Sequence, residues 1–95
     1  MAQYKLSNEA KTDLVRIHHY GIKKFGLTQA DKYFETFFEY FDIIAEQPFS
    51  FEAVDHIKEG YRRCVCGVDS IYYRVNNNNV EIMTIVGRQD LNDKL

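Results

Sequence analysis

The sequence contains no apolar run approaching the roughly 20 residues that cross a bilayer as a helix. Its opening, Met1-Ala2-Gln3-Tyr4-Lys5-Leu6, has no basic segment leading into an apolar stretch. Neither a membrane-spanning helix nor a secretory signal is therefore expected. Cysteine is scarce, with two residues and no regular spacing, which points to a reducing, cytoplasmic compartment rather than a disulfide scaffold. Charge of neither sign dominates: 12 Lys and Arg against 14 Asp and Glu leave a formal charge of -2. Broad electrostatic attachment to nucleic acid or anionic lipid is not expected, nor is sequence-specific DNA binding by this chain alone. With 95 residues there is chain for one domain, 1–95, and not for a second core.

Apolar residues are plentiful, at 45% of the chain with 15% aromatic, so a core can form. Tyr4 to Leu6 reads as a short strand. Ser7 offers a side-chain oxygen to cap a helix behind it, and Glu9 suits the positive helix start. Ala10, Leu14, Ile17, Gly21 and Phe25 then recur at helical spacing and draw one narrow stripe. Gly26 ends that helix. Thr28 caps the next, with Asp31 three residues on in a variant of the capping box, and Ala30, Phe34, Phe37, Phe41 and Ile44 carry the helical period as far as Pro48. With only Gly26 and Leu27 between the two patterns, an antiparallel helical hairpin follows.

From Pro48 to Gly60 no period holds, and the segment reads as a loop tacked down by aromatics such as Phe49 and Phe51. Thereafter the period is two. Tyr61–Val68, Ile71–Val75 and Val80–Val86 form a three-stranded antiparallel meander, with Gly67 to Ser70 and the four asparagines Asn76 to Asn79 as turns. The expected fold is α+β, in the order β-α-α-β-β-β: a two-helix antiparallel hairpin packed on a small antiparallel sheet, with a short polar tail from Arg88 to Leu95. Alternation puts Ile71, Tyr73 and Val75 on one side of their strand, with Tyr72 and Arg74 on the other. In the last strand it sets Val80, Ile82, Thr84 and Val86 against Glu81, Met83 and Ile85. Neither side of that strand is purely polar, which predicts a part-apolar surface left open for a partner.

Metal and cofactor chemistry find no support. Cys64 and Cys66 share one face of a strand about 6.6 Å apart, which strains disulfide geometry and is half of a zinc site at most, so both read as small buried hydrophobes. His18 and His19 point about 100° apart on their helix, unlike the i, i+4 pair that grips one metal. Arg62, Arg63, Arg74 and Arg88, with Lys58, concentrate positive charge in the strand half. If Arg62 and Arg74 share the outer face they make an anion-accepting patch. The other reading is a solvated face neutralised by Glu59, Asp69 and Glu81.

Several strings, in order, resemble the ParE branch of the RelE/ParE toxin superfamily over the whole chain. They are Leu6-Ser7 with Ala10 and Asp13-Leu14, Phe25-Gly26 with Ala30, Pro48, Gly60-Tyr61-Arg62-Arg63, Tyr72-Tyr73-Arg74-Val75, Val80-Glu81-Ile82 and Val86-Gly87-Arg88-Gln89-Asp90. The resemblance implies the toxin of a type II toxin-antitoxin module, of the plasmid-stabilising kind. Such a toxin is held inactive by a cognate ParD-like antitoxin, with DNA gyrase as target and a toxin dimer within a hetero-oligomer as one arrangement. RelE-like relatives are instead ribosome-dependent messenger RNA endonucleases. That chemistry needs a proton acceptor, a proton donor and cations on the phosphate. The tail from Arg88 to Leu95 has neither Tyr nor His, which favours gyrase binding over catalysis. The enzyme reading survives through Tyr72 or Tyr73 as proton carrier, and an inactivated module that only binds its antitoxin is a third option.

No catalytic residue is assigned. Arg62, Arg63, Arg74 and Arg88 are the expected target or anion contacts. The resemblance ties toxicity to the terminal segment, here Arg88, Gln89, Asp90, Leu91 and Leu95; Leu91 and Leu95 align if it forms a helical turn. It also implies an antitoxin segment laid on apolar surfaces, for which Phe38, Tyr72, Arg74 and Met83 are the candidates.

Overall fold

A computed structural model describes residues 3–87, so the expectations placed on Arg88, Gln89, Asp90, Leu91 and Leu95 lie outside the described residues. The elements are β1 (Tyr4–Leu6), α1 (Asn8–Phe25), α2 (Leu27–Glu46), β2 (Glu52–Ala53), β3 (Arg62–Cys66), β4 (Asp69–Asn76) and β5 (Asn79–Gly87). Both helices lie against one face of a five-stranded sheet ordered β1-β5-β4-β3-β2. The β2 to β5 pairs are antiparallel, whereas β1 joins β5 in parallel, so the sheet is mixed. The helical hairpin returns the chain to the starting end of the sheet, which lets the first strand run alongside the last.

Ser7 caps α1 as expected, its Oγ accepting from the Ala10 amide at 2.9 Å. The second cap differs. α2 begins two residues earlier than the Thr28 cap implies, with the Gly26 carbonyl accepting from Ala30 N at 3.0 Å and no side-chain cap. Gly26 reaches this geometry with φ at 90°, open to glycine because it lacks a Cβ. Asp31 is turned instead toward α1, where its Oδ1 meets His18 Nε2 at 2.8 Å. The hairpin closes tightly because Gly21 faces Ala30, and a Cβ built on Gly21 would stand 3.3 Å from the Ala30 Cβ.

Ala10, Leu14 and Ile17 are buried, but Phe25, at the end of the expected stripe, is 63% exposed. The main core sets Leu14, Ile17, Phe37, Phe41 and Ile44 against Cys64, Cys66, Ile71, Tyr73, Val80, Ile82 and Ile85. Both thiols are buried, as their alternation requires. A second cluster of Val54, Tyr61, Tyr72 and Val86, joined by Ile57 and Met83, lies on the other face. The expected open apolar surface is thus partly covered by the segment between Pro48 and Gly60. That segment is not wholly irregular, since Glu52 and Ala53 pair with Arg63 and Arg62.

The four asparagines form a two-residue hairpin. Asn76 pairs with Asn79, and Asn77 and Asn78 both take positive φ, 50° and 68°, which matches the right-handed twist of the flanking strands. The alternation expected for β5 fails at one place. Tyr73 faces Ile82 and Tyr72 faces Thr84, so Met83 is an extra residue in a β-bulge. Beyond it the faces are exchanged: Ile85 enters the main core and Val86 the second cluster.

Candidate binding surfaces of the sheet and hairpin

Alternation along β3 and β4 decides where the arginines point. Arg63 pairs with Tyr72 and, with Arg74 two residues along, lies on the face away from the helices; Arg62 pairs with Tyr73 and lies on the helix face. Arg62 and Arg74 therefore do not share a face, and the patch expected from that pair is not assembled. Arg62 donates from Nη1 to the Phe51 carbonyl at 2.8 Å and stacks on the Phe49 ring, 5.0 Å from its centroid. It fastens the loop after α2.

Arg63 and Arg74 each have an acidic partner. Arg63 is ion-paired to Glu52 across the β2–β3 ladder, and the Tyr72 hydroxyl and Glu52 together hold its guanidinium more firmly protonated than usual. Arg74 Nε donates to Glu81 Oε1 at 2.8 Å across β4–β5, and that hydrogen bond draws the Glu81 carboxyl below its ordinary range. The neutralised reading holds for this face, with Glu81 and Glu52 as neutralising groups. Asp69 accepts from the Tyr33 hydroxyl at 2.8 Å.

The four residues expected to meet an antitoxin divide between two sides. Tyr72, Arg74 and Met83 belong to the sheet face away from the helices, with Tyr72 only 1% exposed beneath Val54 and Tyr61. Phe38 is half-buried on α2, with its ring against Phe34 and Phe41.

A groove of about 920 Å³ opens between the hairpin and the β3–β4 turn, with Phe25, Ala30, Phe34 and Val68 among its walls. Phe34, which carries the helical period of α2, contributes to this groove, and Val68, which the sequence pattern marks only as the end of a strand, is 83% exposed. Tyr33 braces the groove floor, its hydroxyl within 2.9 Å of the Cys66 carbonyl and 2.8 Å of Asp69 Oδ2. Burial first, then Asp69, push the Tyr33 phenol well above its ordinary value.

The tyrosines that general acid–base chemistry would require are enclosed. Tyr73 is fully buried, donates its hydroxyl to the Pro48 carbonyl at 2.7 Å, and is pushed up to about 12, mainly by burial. His18 spans the hairpin to Asp31 beside Phe34, and His56 lies on the surface loop. Among the described residues no cluster of His, Cys, Asp and Glu is arranged to hold a metal, and no helix is long and apolar enough to cross a membrane.

Along β5, one signal was legible only as a fragment of a motif. Asp13, noted beside Leu14 in α1, is 2% exposed and accepts from Thr84 Oγ1 at 2.9 Å and from Ile85 N at 3.0 Å.

Set beside solved structures, this architecture is that of small toxin–antitoxin proteins. It matches a chain of the chromosomal ParDE toxin–antitoxin system from P. aeruginosa with a TM-score of 0.81 at 19% identity, covering 92% of this chain and 96% of that one. It also matches a chain of the RelBE2 toxin–antitoxin complex from Mycobacterium tuberculosis with a TM-score of 0.70 at 13% identity, covering 92% and 98%. Both likenesses concern the fold. In sequence, residues 4–91 match the family model described as the ParE toxin of the type II toxin-antitoxin system parDE. Toxin ParE1 of Caulobacter vibrioides is 35% identical over 86 residues, 90% of this chain and 88% of that protein. The chain belongs to the ParE toxin family of type II toxin–antitoxin systems.

Proposed function

We propose that this chain acts in the cytoplasm as a toxin that binds DNA gyrase and blocks replication, and that a cognate ParD-like antitoxin neutralises it. The observation that carries the reading is the family match over residues 4–91. The geometry supports protein binding over RNA cleavage. A general base must come within hydrogen-bond reach of the proton it takes. Tyr73 is instead sealed against Pro48, and Tyr72 lies under Val54 and Tyr61.

Arg63 and Arg74 are the proposed cationic contacts of the outer sheet face, Arg62 acts by holding the loop, and Arg88 to Leu95 is the proposed toxic segment. An antitoxin that touches Phe38 as well as Tyr72, Arg74 and Met83 has to pass around the molecule, because these lie on opposite sides of the sheet. Such wrapping fits a hetero-oligomer in which two toxin copies are held by their antitoxins.

The test uses toxin released from its antitoxin in two parallel assays, gyrase supercoiling and ribosome-programmed messenger RNA cleavage. Inhibited supercoiling with intact message is the expected result. Cleaved message with unaffected gyrase would replace this reading with the RelE-like one.

A further inference from the structure

β1 accompanies β5 only from Val80 to Ile82, yet β5 continues to Gly87. Past that point α1 and its cap residue Ser7 replace the missing strand with side chains. Ser7 Oγ donates to the Met83 carbonyl at 2.7 Å, Asp13 Oδ2 accepts the Ile85 amide at 3.0 Å, and Arg16 Nη2 donates to the Ile85 carbonyl at 3.3 Å. Thr84 Oγ1 lies 2.8 Å from Glu9 Oε2 and 2.9 Å from Asp13 Oδ2.

This contact coincides with the Met83 bulge, the one place where the β4–β5 register shifts. The sequence itself specifies that register weakly. In an unbulged strand, Thr84 and Val86 would follow Val80 and Ile82 toward the helices and Ile85 would turn away. All three residues suit a strand on either face, and a slip of one residue moves every side chain to the other side. The bulged register is the one that presents the Ile85 amide to Asp13, a carboxylate buried where an unmatched hydrogen bond is costly.

We propose that Asp13 selects the register of β5 after Met83 and so sets the direction in which the chain leaves Gly87 toward residues 88–95. Asp13 is then a positioning residue for the segment to which toxicity is assigned, and that second step rests on the function proposed above. The register itself does not depend on the target.

The test compares full-length wild type, Asp13→Ala, and Asp13→Ala with Met83 deleted, by NMR cross-strand contacts and by gyrase inhibition. Wild type pairs Ile71 with Ile85. In Asp13→Ala the contact should move to Ile71 with Thr84, and inhibition should be lost. Deleting Met83 as well removes the extra residue, so Ile71 should again face Ile85 and inhibition should return; a residue that merely stabilised the fold would not be rescued by shortening the strand. Retention of the Ile71–Ile85 contact in Asp13→Ala overturns the proposal. If Asp13→Ala does not fold, the double variant decides: its failure to fold also overturns the proposal. A register change with undiminished inhibition overturns the positioning step alone. Failure of wild type to inhibit gyrase defeats the proposed function and leaves the NMR result to judge the register.

Discussion

Tyr33 on α2 stands directly over Gly67 in the β3–β4 turn, so close that a Cβ on that glycine would lie 2.6 Å from the Tyr33 hydroxyl. Gly67 also holds φ at 61°, a conformation that costs other residues about 1–2 kcal/mol. Gly67→Ala should therefore combine backbone strain with displacement of Tyr33 from Cys66 and Asp69. Gly60, with φ at 82° and open space around it, carries the strain alone. In urea melts Gly67→Ala should lose clearly more stability than Gly60→Ala, and equal losses would refute the role given to Tyr33.

Removing the hydroxyl itself is a milder version of the same experiment. Tyr33→Phe deletes the donor to Asp69 Oδ2 and to the Cys66 carbonyl. A hydrogen bond to a charged group contributes about 1.5–3 kcal/mol when buried, less at this half-exposed site. A loss of about 1–2 kcal/mol, with hydrogen exchange quickened in the β3–β4 turn, is expected. Unchanged turn exchange would show that the hydroxyl is not what ties α2 to the turn.

Close approach of the helices sets a size limit at Gly21. Its hypothetical Cβ already lies 3.3 Å from that of Ala30, so Gly21→Leu should force α1 and α2 apart and destabilise the fold by about 1–3 kcal/mol, the usual cost of overpacking. Ile22→Ala, next in the same helix and half-buried, provides the comparison for helix propensity without added bulk. Thermal melts in which Gly21→Leu is as stable as wild type would mean that the hairpin can open there without loss.

Alkaline pH should weaken the protein in a defined order. Burial raises Cys64 from its ordinary 9.0 to about 11, and raises Cys66, chiefly by burial and then through Cys64 and Asp69, to about 12. Well below pH 9 both thiols are protonated whether the chain is folded or not. Above it the unfolded chain ionises while the folded one holds its protons, so stability falls as pH rises toward 11 and 12. Tyr73, raised from 10.0 to about 12, adds to the decline from about pH 10. Urea titrations from pH 7 to 11 should show this slope, and a Cys64→Ala, Cys66→Ala variant should begin its decline later. In the native protein a thiol reagent at pH 8 should react slowly, and in urea rapidly.

Local chemistry was legible where one residue type performs one local task. Ser7 accepts the Ala10 amide because a hydroxyl at a helix start has that donor within reach. The asparagines turn because Asn tolerates positive φ, and Cys64 and Cys66 are buried together because alternate strand residues share a face. The reading faltered where a residue has two competing uses. Asp31 can cap a helix or pair with His18, and only the close packing of the hairpin brings His18 within 2.8 Å. Arg62 and Arg63 are adjacent and chemically alike. Which of them joins Arg74 depends on the pairing of β3 with β4, a relation between segments distant in sequence.

The sequence by itself determined both helices, every strand but β2, their order and the family, because helical and strand periods and cap residues act over a few neighbours and the matching strings are linear. The tertiary structure alone decided the parallel pairing of β1 with β5, the cover of Val54 and Tyr61 over Tyr72, and the bulge that turns Ile85 into the core. These are choices among arrangements of nearly equal local preference. They are settled by contacts such as that of Asp13 with Ile85, 72 residues apart, which exist only once the chain has folded.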